Sequence, residues 1–127
     1  MRPPSPPPGW SAEFVDGLIA EFPGLRSAYE EHIKANFGEL LAHLLMGDVV
    51  RFLEAKHTER DDEPANMRLI KSIMDYIGRC FETASPWVKE LIAVSFVENM
   101  PYPDEVAADI VGLLPENLKA ELAVQRG

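Results

Sequence analysis

The sequence predicts an all-α fold, and three observations predict it. Apolar residues recur at spacings of three and four through most of the chain, Pro and Gly separate the periodic stretches, and no stretch alternates apolar and polar as a half-buried strand would. With 127 residues and 46% hydrophobic content, the chain fits one ordinary domain that buries roughly two thirds of its unfolded surface. The expected architecture is a single compact array of about six or seven helices in antiparallel hairpins. It occupies residues 11–127, preceded by a disordered proline-rich tail over residues 1–10.

The tail, Met1-Arg2-Pro3-Pro4-Ser5-Pro6-Pro7-Pro8-Gly9, favours extended polyproline II and has no face to bury. Ser11 is the expected N-cap of a first helix carrying Phe14, Val15, Leu18, Ile19 and Phe22, which Pro23-Gly24 ends. Leu25, Ala28, Tyr29, His32 and Ile33 continue in a second helix, interrupted or capped at Asn36-Phe37-Gly38. A third apolar run follows at once, Leu40, Leu41, Leu44, Leu45, Val49, Val50, Phe52 and Leu53, and Gly47 inside it marks a bend or a close helix crossing. Dense mixed charge from Glu54 to Pro64 reads as an exposed connection. Beyond it Met67, Ile70, Met74, Ile77 and Phe81 step by three and four, with Leu69, Ile73, Tyr76 and Cys80 in the adjacent row, a broad core-facing stripe. Ser85 as N-cap and Pro86 at the first helical position open a helix that is apolar nearly all round, as a central helix must be. Pro101-Tyr102-Pro103 stops it. Val106, Ile110, Leu113 and Leu114 mark a further short helix, and Pro115 admits a last one carrying Leu118, Leu122 and Val124. This second half is helical-repeat-like, resembling one unit of a helical-hairpin solenoid, although no internal repeat is visible.

Composition excludes several function classes. The formal charge of −9, from 21 Asp and Glu against 12 Lys and Arg, argues against a phosphate-backbone binder, whose affinity comes from Lys and Arg. It equally opposes docking on anionic lipid. No apolar run approaches the roughly 20 residues that span a bilayer, and the amino terminus lacks the apolar core of a secretory signal. With Cys80 as the only cysteine, no intramolecular disulfide forms and the thiol reads as a small buried hydrophobe. The expectation is a cytoplasmic protein that binds neither nucleic acid nor membrane.

No motif declares a chemistry. Glycine is scattered, so no phosphate-cradling loop exists, and neither Ser95 nor Cys80 has a histidine at helical neighbour spacing to activate it. Glu39 and His43, four apart on the third helix, share one face, and Asp48 lies about a turn further on, slightly off that face. No second His or Cys completes a zinc set. The expectation is therefore no catalytic residue, no metal and no cofactor, with these three positions as partner contacts. On the central helix, Ser95, Glu98 and Asn99 fall in one sector at about 100° per residue. They are the hydrophilic sector of an apolar helix and, with Tyr102, a polar island suited to grip a partner.

Two stretches, Glu39-Leu40-Leu41-Ala42-His43-Leu44-Leu45-Met46-Gly47-Asp48 and Leu91-Ile92-Ala93-Val94-Ser95-Phe96-Val97-Glu98-Asn99-Met100, carry a resemblance. Together with the Phe22-Pro23 entry and the preceding helix, they resemble a family of small, mostly uncharacterised bacterial helical domains, over roughly residues 12 to 122. Such domains are similar to immunity proteins of bacterial toxin systems, compact, acidic and helical. The resemblance implies a protein that neutralises a toxin by direct binding and supplies no catalytic residue. Charge complementarity gives the physical logic, since an acidic partner is steered toward a basic cleft. Glu30, Glu31, Glu59, Asp61, Asp62 and Glu63 are the expected steering residues, and Glu98, Asn99 and Tyr102 the expected specific contacts. An adaptor module of a larger assembly, or an enzyme or small-molecule binder with a pocket invisible in sequence, are the alternative readings.

Overall fold

A computed structural model describes residues 6–59 and 63–127. Among them are six α-helices, α1 (Ala12–Glu21), α2 (Arg26–Ala35), α3 (Ala42–Thr58), α4 (Glu63–Thr83), α5 (Pro86–Leu91) and α6 (Glu116–Arg126). A 3₁₀ turn, Pro23–Leu25, links α1 to α2, and a second 3₁₀ segment, Ala108–Leu113, precedes α6. The described chain contains no strand, and the fold is all-α.

Local chemistry accounts for most boundaries. Ser85 accepts a hydrogen bond on Oγ from the Val88 N–H at 3.3 Å, with Pro86 first in the helix, so α5 opens on the expected cap. At the end of α2 the chain turns left-handed through Phe37 (φ 56) and Gly38 (φ 85), and the Gly38 N–H returns to the Ile33 carbonyl at 2.8 Å. Ser11 precedes α1 as expected but makes no side-chain cap, and is itself buried. Trp10, assigned to the tail on sequence grounds, packs against the core.

Three expectations are corrected. The charged connection is shorter than Glu54 to Pro64, because residues 54–58 finish α3 and Glu63 and Pro64 begin α4. An acid and a proline both suit a first turn, where amide N–H groups lack helical partners. The segment after Pro103 is 3₁₀ over Ala108–Leu113 and leaves Val106 78% exposed, since Ala107 adopts φ 69. Leu44, Val94 and Val124, all placed in apolar stripes by their spacing, are exposed.

The largest departure lies where α5 continues. Residues 92–97 form a π-helical turn, closed by the Glu98 N–H to the Ala93 carbonyl at 3.1 Å, five residues back. The wider turn shifts every later residue relative to an α-helix. Ser95 is therefore not on the solvent sector with Glu98 and Asn99 but buried, while Val94 is turned outward. Ile92, Phe96 and Val97 are fully buried against α3, whose Leu45, Met46, Val49, Val50 and Leu53 complete the layer. Each such side chain contributes about 1.5–3 kcal/mol on burial. From α4 come Ile70, Ile73, Met74 and Ile77, and from α6 Leu118 and Leu122.

Two glycines separate close packing from spare room. A Cβ on Gly47 would lie 3.6 Å from an Arg51 guanidinium nitrogen and 3.7 Å from the Asn99 amide, which is ordinary contact. Gly47→Ala is expected to stabilise the protein by about 1 kcal/mol, the helix-propensity difference. A Cβ on Gly78 would lie 2.5 Å from Pro115 Cγ, against the residues that open α6, where the Asn117 amide donates to the Gly78 carbonyl at 2.8 Å. Gly78→Ala is expected to cost about 1–3 kcal/mol. Urea unfolding of the two variants checks the opposite signs.

Candidate functional site

The polar residues gather on two faces. The first is built where the π-turn ends. An ending helix leaves carbonyls unpaired, and here side chains meet them. The Asn99 amide donates to the Ser95 carbonyl at 2.7 Å, and Gln125 from α6 adds a second bond, at 2.9 Å, to the Ala93 carbonyl that closes the π-turn. Arg126 donates to the Met100 and Pro101 carbonyls, the latter at 3.2 Å, a cation at a helix C-terminus. Its guanidinium also lies 3.9 Å from the centre of the Tyr102 ring. Tyr102 is held in turn by a reciprocal pair, its N–H donating to the Glu105 carboxylate and its carbonyl accepting from the Glu105 N–H, both at 2.9 Å. The result is a cleft of 280 Å³ lined by Glu98, Tyr102, Gln125 and Arg126. Glu98 and Asn99 are exposed and Tyr102 is 55% exposed.

The second face lies along α2 and α3. His32, buried, accepts the Leu41 N–H on Nε2 at 3.0 Å. A backbone N–H can only donate, so Nε2 carries the lone pair and the proton sits on Nδ1. That nitrogen faces the Asp48 carboxylate at 3.7 Å, and Asp48 is held from the other side by Arg51. His32 thereby ties the start of α3 to α2, a role that periodicity alone assigned to the apolar stripe.

Glu39 and His43 do not share a helix face. Helix α3 begins at Ala42, so Glu39 lies in the preceding loop, with its N–H on the Asn36 carbonyl at 3.0 Å. His43 is exposed and turns toward the π-turn, where its Nδ1 meets Ser95 Oγ at 2.5 Å, and the Trp10 ring lies beside it, centroids 6.1 Å apart. The expected set Glu39, His43 and Asp48 is thus dispersed over three surroundings. Glu63 is exposed at the start of α4, and Asp61 and Asp62 lie outside the described residues. No group of three His, Cys, Asp or Glu positioned to hold a metal occurs among the described residues.

Ser95 and His43 are fifty-two residues apart in sequence, which is why helical spacing missed the pair. Nucleophilic catalysis needs an accessible hydroxyl and a base oriented by a third group. Ser95 is 5% exposed, and among the described residues no carboxylate bonds the far nitrogen of His43. The pair is a polar contact that joins α3 to the π-turn. Ser95→Ala is expected to lower stability by about 1 kcal/mol, because exposed His43 regains water, with helix content by circular dichroism unchanged.

Charge elsewhere is less comfortable. Burial first, then repulsion from Glu105, raises the Glu54 carboxyl above its ordinary value of 4.5, partly offset by Arg51. Glu54, Asp104 and Glu105 line one groove between the end of α3 and the loop before the second 3₁₀ segment. The folded state binds the Glu54 proton more tightly than the unfolded one, so this residue's destabilising effect is full above the raised value and gone below the ordinary one. Glu54→Gln is expected to raise Tm at pH 7 and to lose that advantage as the pH falls below 4.5. Cys80 is half-buried beside Tyr76, and burial raises its thiol pKa, partly offset by the Tyr76 hydrogen bond and by Arg79.

No helix of the described residues is long and apolar enough to cross a membrane. No curated protein and no solved structure matches the chain. The family profile described as Domain of unknown function (DUF7674) matches residues 15–126. That span runs from within α1 to the last residue of α6 and takes in both polar faces, and the chain belongs to the DUF7674 family.

Proposed function

We propose that this domain binds a basic protein and neutralises it, acting as an immunity or inhibitor protein for a bacterial toxin. The observation that supports this reading is how little the fold uses its acidic charge. Among the described residues, Lys and Arg ion pairs join Asp48 to Arg51, Glu59 to Lys56, Asp75 to Lys71 and Glu116 to Lys119, each three or four residues apart on the chain. Exposed pairs of this kind contribute about 0.3–0.5 kcal/mol. A net charge of −9 meanwhile repels itself in the compact state. The excess is a surface property that works against the fold and in favour of attracting a cationic partner.

Glu30, Glu31, Glu59 and Glu63 are exposed and supply long-range attraction. Glu98 and Tyr102 supply the contact face. Tyr102 is an aromatic anchor whose lower side is already fixed on Arg126, so little side-chain freedom is lost when a partner covers it.

The product of the adjacent gene, co-expressed and purified with this chain, provides the test. Association is expected to slow by about tenfold or more between low and physiological salt. Glu98→Ala is expected to weaken binding while leaving helix content and Tm in place, and co-expression is expected to relieve any growth arrest the partner causes. An on-rate indifferent to ionic strength removes the steering argument, and a Glu98→Ala protein that unfolds moves that residue into the architecture.

A further inference from the structure

The groove between α2 and α3 has the form of a helix-binding site. Ala28, Glu31 and Ala35 line it from α2, and Leu44, Asp48 and Phe52 from α3, enclosing 580 Å³. These spacings of three and four put one continuous face of each helix into the groove. The two alanines keep the α2 wall low, so that an incoming backbone can approach. Leu44 belongs to the apolar stripe of α3 yet is 56% exposed, apolar surface that the chain itself does not cover. His32, fixed between the helices by the Leu41 N–H, holds the two walls in place.

Phe37 adds an independent observation at the same end of α2, directly after Asn36, which also lines the groove. Its φ is 56 and its side chain is 100% exposed. A bulky residue in the left-handed region is strained, and this ring gains no packing in return. Strain held without internal benefit marks positions set by function. The charges point to the occupant. Glu31 lines the groove, Glu39 is exposed in the loop beyond Phe37, and the lining Asp48 and Arg51 are engaged with each other.

We propose that this groove docks a cationic amphipathic helix of a partner protein. The helix lays its apolar face on Leu44, Phe52 and the two alanines, with Phe37 closing over one end, and its flanking Lys or Arg side chains meet Glu31 and Glu39. This deepens the proposed function and rests on it, since it names the part of a basic partner that is held.

The probe is a fluorescent Leu/Lys peptide of about 18 residues, long enough to hold an amphipathic helix in water, titrated into the full chain and followed by anisotropy. Its Leu/Glu counterpart and a Leu/Lys peptide scrambled to abolish the apolar face are the controls. The Leu/Lys helix is expected to bind and both controls to fail. Ala35→Trp, an exposed position that tolerates bulk, is expected to weaken binding about tenfold by filling the groove, and Phe37→Ser several-fold. Equal binding to the Ala35→Trp protein, equal binding of the scrambled peptide, or no binding of the Leu/Lys helix overturns the proposal. A natural basic partner lost on Glu98→Ala but indifferent to Ala35→Trp would remove the groove and leave the broader function standing.

Discussion

Everything in this protein is arranged about the crossing of α3 and the π-turn. Helix α3 also packs on α2, α4 and α5, and the π-turn on α6, so the two segments form the joint through which the N- and C-terminal halves share one core. Phe96, Ile92 and Val97 fill it from one side and Leu45, Met46, Val49 and Leu53 from the other. Ser95 and His43 place a single polar contact at its margin. A layer this apolar has no directional bond to fix its register, and the polar contact supplies one.

Much of the fold is legible in the sequence because helices announce themselves by period. The stripe through Ile70, Met74 and Ile77, the Ser85-Pro86 start and the stop at Pro101 all rest on local rules, and the chain obeys them. Failures cluster where tertiary structure overrides period. Ser95 projects as solvent-facing because a helical projection assumes about 100° per residue throughout, and no residue between Ile92 and Val97 signals a wider turn. His43 and Ser95 cannot be paired from spacing. Of the expected contacts, Glu98 and Tyr102 do converge in one cleft, one on each side of Pro101, whereas Glu39 leaves its helix because α3 starts later than its apolar run suggests.

Architecture and surface divide the chemistry between them. The core is held by apolar burial and by side chains that satisfy stranded backbone groups, Asn99 and Arg126 at one helix end and His32 at another helix start. Acidic side chains take little part in either. Where they crowd, as Glu54 does against Glu105, they oppose the fold. A protein built this way keeps its stability while its surface charge changes.

The π-turn has a consequence for chain length. Because it houses one residue more than an α-helical turn of the same rise would, the segment between α5 and Pro101 has a residue it can lose. Deleting one residue from 92–97 would let the segment close as ordinary α-helix and leave Glu98, Tyr102 and the packing of α6 on their present faces, whereas the same deletion within α3 or α4 would rotate everything beyond it by about 100°. A relative with one residue fewer there would carry the same side chains on the same face.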